Sequence, residues 1–155
     1  MKKIIILFIA CLFIYSCGYK KVNNSQKQNF YIKNINIDGN KKIGYFLKNE
    51  IASISSLNGS TKIDVNLDVE KEKKVRIKNT KGKNTKYTVS LKVKVLITNL
   101  DTKKQITRFY EKSETYDAAN NHSETINNEN SSVKNLAGRI SEDIMNDLSL
   151  SLKIK

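Results

Sequence analysis

The sequence predicts an α+β domain, a two-layer sandwich of two helices packed on a four-stranded, mainly antiparallel sheet. The predicted order is strand, helix, strand, strand, strand, helix. Residues 63–70 and 87–97 alternate apolar and polar side chains, the period of a strand with one buried face. Residues 43–57 and 133–148 instead repeat apolar side chains at intervals of three and four, the period of an amphipathic helix. One apolar sheet face and two apolar helix stripes each need a partner, and packing the helices on the sheet buries all three.

Ahead of the domain, Lys2 and Lys3 precede the unbroken apolar run IIILFIACLFIY, and Ser16 follows it. A short positive stretch, an apolar run of about 7–15 residues and a small residue make a secretory signal; a membrane span needs roughly 20. Residues 1–16 read as that signal. Ile14, Tyr15, Ser16 and Cys17 resemble a bacterial lipobox, which implies cleavage before Cys17 and lipidation of its thiol and new amine. Gly18 in place of Asp resembles lipoproteins sorted to the outer membrane. Each buried CH₂ contributes roughly 0.8 kcal/mol, so several acyl chains anchor stably where one anchors marginally. The other cysteine, Cys11, lies in the signal, which leaves no thiol for a disulfide or a metal, and the exported domain must rely on its hydrophobic core. Residues 17–29 read as the lipidated cysteine and a flexible tether reaching at most about 40 Å, and residues 30–155 as one domain.

The elements follow in order. FYIKNINI, residues 30–37, is a strand by its β-branched and aromatic content, though its alternation is imperfect. Asp38, Gly39 and Asn40 form a turn able to cap a helix. That helix carries Ile43, Phe46, Leu47, Ile51, Ile54 and Leu57 on one face and stops at Asn58 and Gly59. Two strands come next, and pairing Glu70 with Lys92 also sets Asp68 against Lys94, Val69 against Val93 and Leu67 against Val95. Both faces agree in that one antiparallel register, with a loop at residues 79–83. Lys92 and Lys94 are then cross-strand partners of acidic residues. QITRFYEKSET is a fourth, less regular strand. In the last helix Val133, Leu136, Ala137, Ile140, Ile144 and Leu148 share a face that extends to Leu152. Asn121 and Glu124 form a capping pair that would start this helix, and the polar run NNENSS is expected to fray or break its first turns.

Formal net charge is +13, and about +11 once Lys2 and Lys3 are removed with the signal. A polyanion is the natural partner: an anionic membrane surface, a phosphorylated glycolipid or a nucleic acid, the last removed by export. A chain rich in Lys, Asn and Ile, without Pro or Trp, also matches an AT-biased genome, so local arrangement carries more than total charge. Between residues 71 and 86 lie Lys71, Lys73, Lys74, Arg76, Lys78, Lys81, Lys83 and Lys86 against Glu72 alone. The strand register makes this a protruding hairpin tip of one sign and places Arg76 beside Lys86, a repulsive pair. Such a tip either binds an anion or keeps the protein soluble.

The order of these features resembles the lipopolysaccharide-assembly lipoproteins called LptE. The likeness lies in the CGY start, the strand-into-helix INIDGNKKIGYFLKNEIASI, and the hairpin of VNLDVEKEKKVRI with YTVSLKVKVLI. It extends to the tail SETYDAANNHSETINNENSSVKNLAGRISEDIMNDL. The resemblance implies a lipid-anchored protein on the periplasmic side of the outer membrane. Such a protein plugs and helps assemble the LptD barrel and binds lipopolysaccharide as it enters the outer leaflet. Phosphates on that glycolipid would meet Lys73, Lys74, Arg76, Lys78, Lys81, Lys83 and Lys86. No enzyme and no cofactor are expected. His122, the only histidine, sits at a helix start among Asn and Ser, no nucleophilic thiol remains, and the six glycines form no phosphate loop. The alternative is a lipoprotein adaptor in another lipid-transport or cell-wall machine, with the fold as scaffold only.

Overall fold

The computed structural model describes residues 29–152; the signal, Cys17 and the tether up to residue 28 lie outside the described residues. The order is β1 (Phe30–Gly39), α1 (Lys41–Ala52), β2 (Thr61–Lys78), β3 (Asn84–Asn99), β4 (Gln105–Asp117) and α2 (His122–Ser151). The strands form one sheet in the order β1-β2-β3-β4, with β1 parallel to β2 and the other two pairs antiparallel. This is the predicted α+β arrangement.

The imperfect alternation of β1 has a cause. Its register slips between Ile32 and Asn34, so Lys33 is an extra residue without a partner. A bulge of one residue reverses which side chains face inward. Phe30 and Ile32 are buried before it, while Ile35 and Ile37 stand opposite Val65 and Leu67 after it. β1 ends at Gly39, whose φ of +73° suits glycine, and a Cβ there would lie 2.2 Å from the Val69 carbonyl oxygen. Asn40 then caps α1, its side chain accepting from the Ile43 N–H at 3.2 Å.

α1 stops at Ala52, earlier than its apolar spacing predicts, and Leu57 is 88% exposed instead of lying on the helix face. Competition from β1 explains the difference. The Ser55 hydroxyl accepts from the Ile32 N–H at 2.9 Å, and the Ser56 N–H donates to the Phe30 carbonyl at 3.0 Å. These bonds satisfy the outer edge of β1 at Phe30 and Ile32, which a longer helix would leave open there.

Between β2 and β3 the predicted register holds: Leu67, Asp68, Val69 and Glu70 oppose Val95, Lys94, Val93 and Lys92. It fails nearer the turn. Val75 opposes Tyr87, but Ile77 opposes Lys86, so Arg76 is a bulged residue and does not face Lys86. The helix-facing residues Ile63, Val65, Leu67, Val69, Val89, Leu91, Val93 and Val95 are buried with Leu47 and Ile51 of α1 and Leu136, Ile140, Ile144 and Leu148 of α2. Each such aliphatic side chain contributes roughly 1.5–3 kcal/mol on burial.

α2 is 30 residues long. Asn121 caps it as predicted, accepting from the Glu124 N–H at 2.7 Å. The polar run NNENSS neither frays nor breaks it. Tertiary contacts hold those turns: Asn128 donates to the Asp117 carbonyl at 3.1 Å, Glu129 binds two lysines, and Ser132 is buried.

Candidate functional site

Beyond Val69, β2 continues past the end of β1 while keeping its alternation. Lys71 and Lys73 therefore occupy the helix-facing positions, opposite Leu91 and Val89. Their ammonium groups each lie 2.6 Å from one oxygen of Glu129 on α2, and the Tyr116 hydroxyl donates to the same carboxylate at 2.9 Å. The Lys73 ammonium also sits 4.4 Å from the centre of the Tyr87 ring, which stacks on Tyr116 at 5.6 Å. Burial alone would raise the Glu129 pKa, but hydrogen bonds from Lys71, Lys73 and Tyr116 outweigh it and hold the carboxyl down at about 2. The hydrogen bond to Glu129 in turn raises Lys73 to about 12. Burial foremost pushes the Tyr116 hydroxyl upward.

The seven cations expected to meet phosphate fall into three groups. Lys73, Lys74 and Lys86 are paired with carboxylates: Lys73 with Glu129, Lys74 with Glu72 at 2.8 Å, and Lys86 with Asp117 at 2.8 Å. Arg76 sits at the bulge and reaches the Thr115 hydroxyl at 3.5 Å. Lys78, Lys81 and Lys83 are exposed around the turn and make no ion pair among the described residues. Asn79 builds that turn. Its side-chain oxygen accepts from the N–H groups of Lys81 at 3.0 Å and Lys83 at 2.9 Å, and Gly82 takes a φ of +75°. The tip is thus an ordered loop presenting three unpaired lysines with Arg76 behind them.

On the outer sheet face, Lys92 and Lys94 stand opposite Glu70 and Asp68 in register. The ion pair that forms is instead with Glu111 of β4, 3.8 Å from Lys92, and Lys94 lies 6.0 Å above the Phe109 ring. A second polar seam ties β4 to α2, with Tyr110 to Asp147 at 2.7 Å, Lys112 to Asp143 at 2.7 Å and Arg139 to Glu114 at 3.0 Å. The sequence did not reveal this seam or Glu129, because the strand register of β4 and the facing of α2 are both needed to pair them. Among the described residues no cluster of His, Cys, Asp and Glu is placed to hold a metal ion, and no helix is long and apolar enough to cross a membrane.

No protein-family model and no curated protein matches the chain. Solved structures do. Uncharacterized lipoprotein B from Nitrosomonas europaea superposes with a TM-score of 0.60 at 10% identity, over 83% of this chain and 90% of that one. A protein assigned as a lipoprotein in Caulobacter crescentus gives 0.57 at 14% identity, over 78% and 92%. A minor lipoprotein from Acinetobacter baumannii gives 0.52 at 13% identity, over 77% and 94%. At these identities the likeness is one of fold, and the three proteins named are described as bacterial lipoproteins.

Proposed function

We propose that this chain is an outer-membrane lipoprotein, anchored through Cys17, that plugs and assists assembly of an LptD-like barrel and binds lipopolysaccharide with the end of its β2–β3 hairpin. The observation that carries the reading is the tip itself: Lys78, Lys81 and Lys83, which among the described residues have no carboxylate partner, on a turn fixed by Asn79, backed by Arg76. Cations held outward on an ordered loop suit the phosphates of a glycolipid, which they meet without first breaking an internal pair. The fold shared with three bacterial lipoproteins supports the anchor, as do the lipobox-like residues Ile14 to Cys17.

Affinity purification of the tagged chain from detergent-solubilised membranes tests the barrel partnership. The expected result is one large outer-membrane barrel retained with it in stoichiometric amount. Recovery with a different envelope complex and no barrel would favour the adaptor role. For the anchor, Cys17→Ser is expected to abolish incorporation of a tagged fatty acid, and labelled Cys17→Ser protein would contradict the assignment.

A further inference from the structure

β1 covers only the first half of β2. Their ladder runs from Thr61 to Val69 and closes where the Asn40 N–H donates to the Val69 carbonyl at 2.8 Å. The chain then turns away into α1. Backbone groups of successive strand residues point to opposite sides. The Thr61 N–H and Val69 carbonyl point toward β1, and the Lys62 carbonyl points toward β3, where it accepts from the Leu100 N–H. The N–H and C=O groups of Lys71, Lys73 and Val75 therefore point to the side β1 has left, and among the described residues no backbone group meets them there. A recess of about 610 Å³, lined by Gly39, Asn40 and Val69 together with the charged residues Glu70, Lys71, Glu72 and Lys92, opens at the start of this edge. The bulge at Arg76 ends it.

We propose that this edge accepts an added strand: an extended, acidic segment of a partner protein that pairs with β2 where β1 leaves off. Charge selects the occupant. Lys71, Lys73, Lys74, Arg76 and Lys92 border the edge against three carboxylates, Glu70, Glu72 and Glu129. A second copy would bring the same cations, and lysines on an open edge discourage such self-pairing. The chain's own residues 18–28 carry Lys20, Lys21 and Lys27 and no carboxylate, so they match the edge equally poorly. A strand with acidic side chains gains the main-chain hydrogen bonds of β-augmentation and relieves the charge.

The test uses the full domain and a blocked peptide of alternating Glu and Val, with an alternating Lys and Val peptide as control. Binding of the acidic peptide is expected to slow amide exchange about tenfold or more at Lys71, Lys73 and Val75, but not at Glu72 and Lys74, whose amides already face β3. The basic peptide leaves all five unchanged. Val75→Pro removes one outward donor, costs no β2–β3 bond and keeps every cation, so it should weaken the acidic peptide about tenfold while leaving lipopolysaccharide binding intact. The proposal is overturned by binding without protection of those three amides, by no binding at millimolar peptide, or by protection already present without peptide, which would assign the edge to the chain's own tail or a second copy.

Discussion

From residue 63 to 69 the helix-facing positions of β2 are Ile63, Val65, Leu67 and Val69, all shielded from solvent; from 71 to 75 the same positions are Lys71, Lys73 and Val75. The two halves differ in what covers them. Both helices and β1 shelter the first half, and transfer of apolar surface from water stabilises it. Over the second half β1 and α1 have ended, and α2 offers its polar opening turns. There the strand is held by lysines closing on Glu129 and on the Tyr87–Tyr116 stack. This end of β2 is therefore ordered by a polar anchor rather than by buried aliphatic side chains of its own, and its outermost cations form no ion pair among the described residues.

The largest effect is expected in the core. Ile140→Asp should cost about 4 kcal/mol or more by burying an unpaired charge, a large fall in the thermal midpoint, because Ile140 is fully buried. An unchanged midpoint would place Ile140 in solvent and the helix phase in error.

Glu129→Gln probes the other half. The effect should be smaller, on the order of 1–2 kcal/mol, because the lysines it pairs with are partly solvated. Its pH dependence has a definite sign. A carboxyl held at about 2 contributes stability above its unfolded value near 4.5, and that contribution is lost as pH falls from about 5 toward 2. Melting curves of parent and variant should therefore converge over that interval, and a gap constant with pH would mean that Glu129 acts through packing alone.

Loss of the α2 cap, Asn121→Ala, should cost about 1 kcal/mol, read as a shift in denaturant midpoint. Least of all, replacing Lys78, Lys81 and Lys83 with Gln should change stability by less than about 0.5 kcal/mol, since none forms an ion pair among the described residues.

The sheltered half of the fold was the legible half. Where one face is buried, as at Leu67 through Glu70, alternation and charge together admit a single register, and the pairing with Val95 through Lys92 follows from residue types. Where neither face is buried, the pattern lost its force. The bulge at Arg76 and the pairing of Lys73 with Glu129, 56 residues away, leave no local trace. α1 ended early for a related reason: Ser55 and Ser56 satisfy groups on β1, a tertiary demand that helical spacing does not encode. Of the candidate site, the cluster was legible as a count of lysines, but its division into paired and unpaired cations was not.

The proposed function requires that the tip cations, which form no ion pair among the described residues, bind phosphate independently of the fold. It is tested most directly by titrating purified lipopolysaccharide into the parent and into a variant with Arg76, Lys78, Lys81 and Lys83 replaced by Gln, at low and at high salt. The expected result is an unchanged melting midpoint, weaker binding by the variant, and a difference that shrinks with salt, since exposed charges are screened within roughly 8 Å at physiological ionic strength. Equal affinity of the two proteins at low salt would contradict it and leave the tip lysines as solubilising charge.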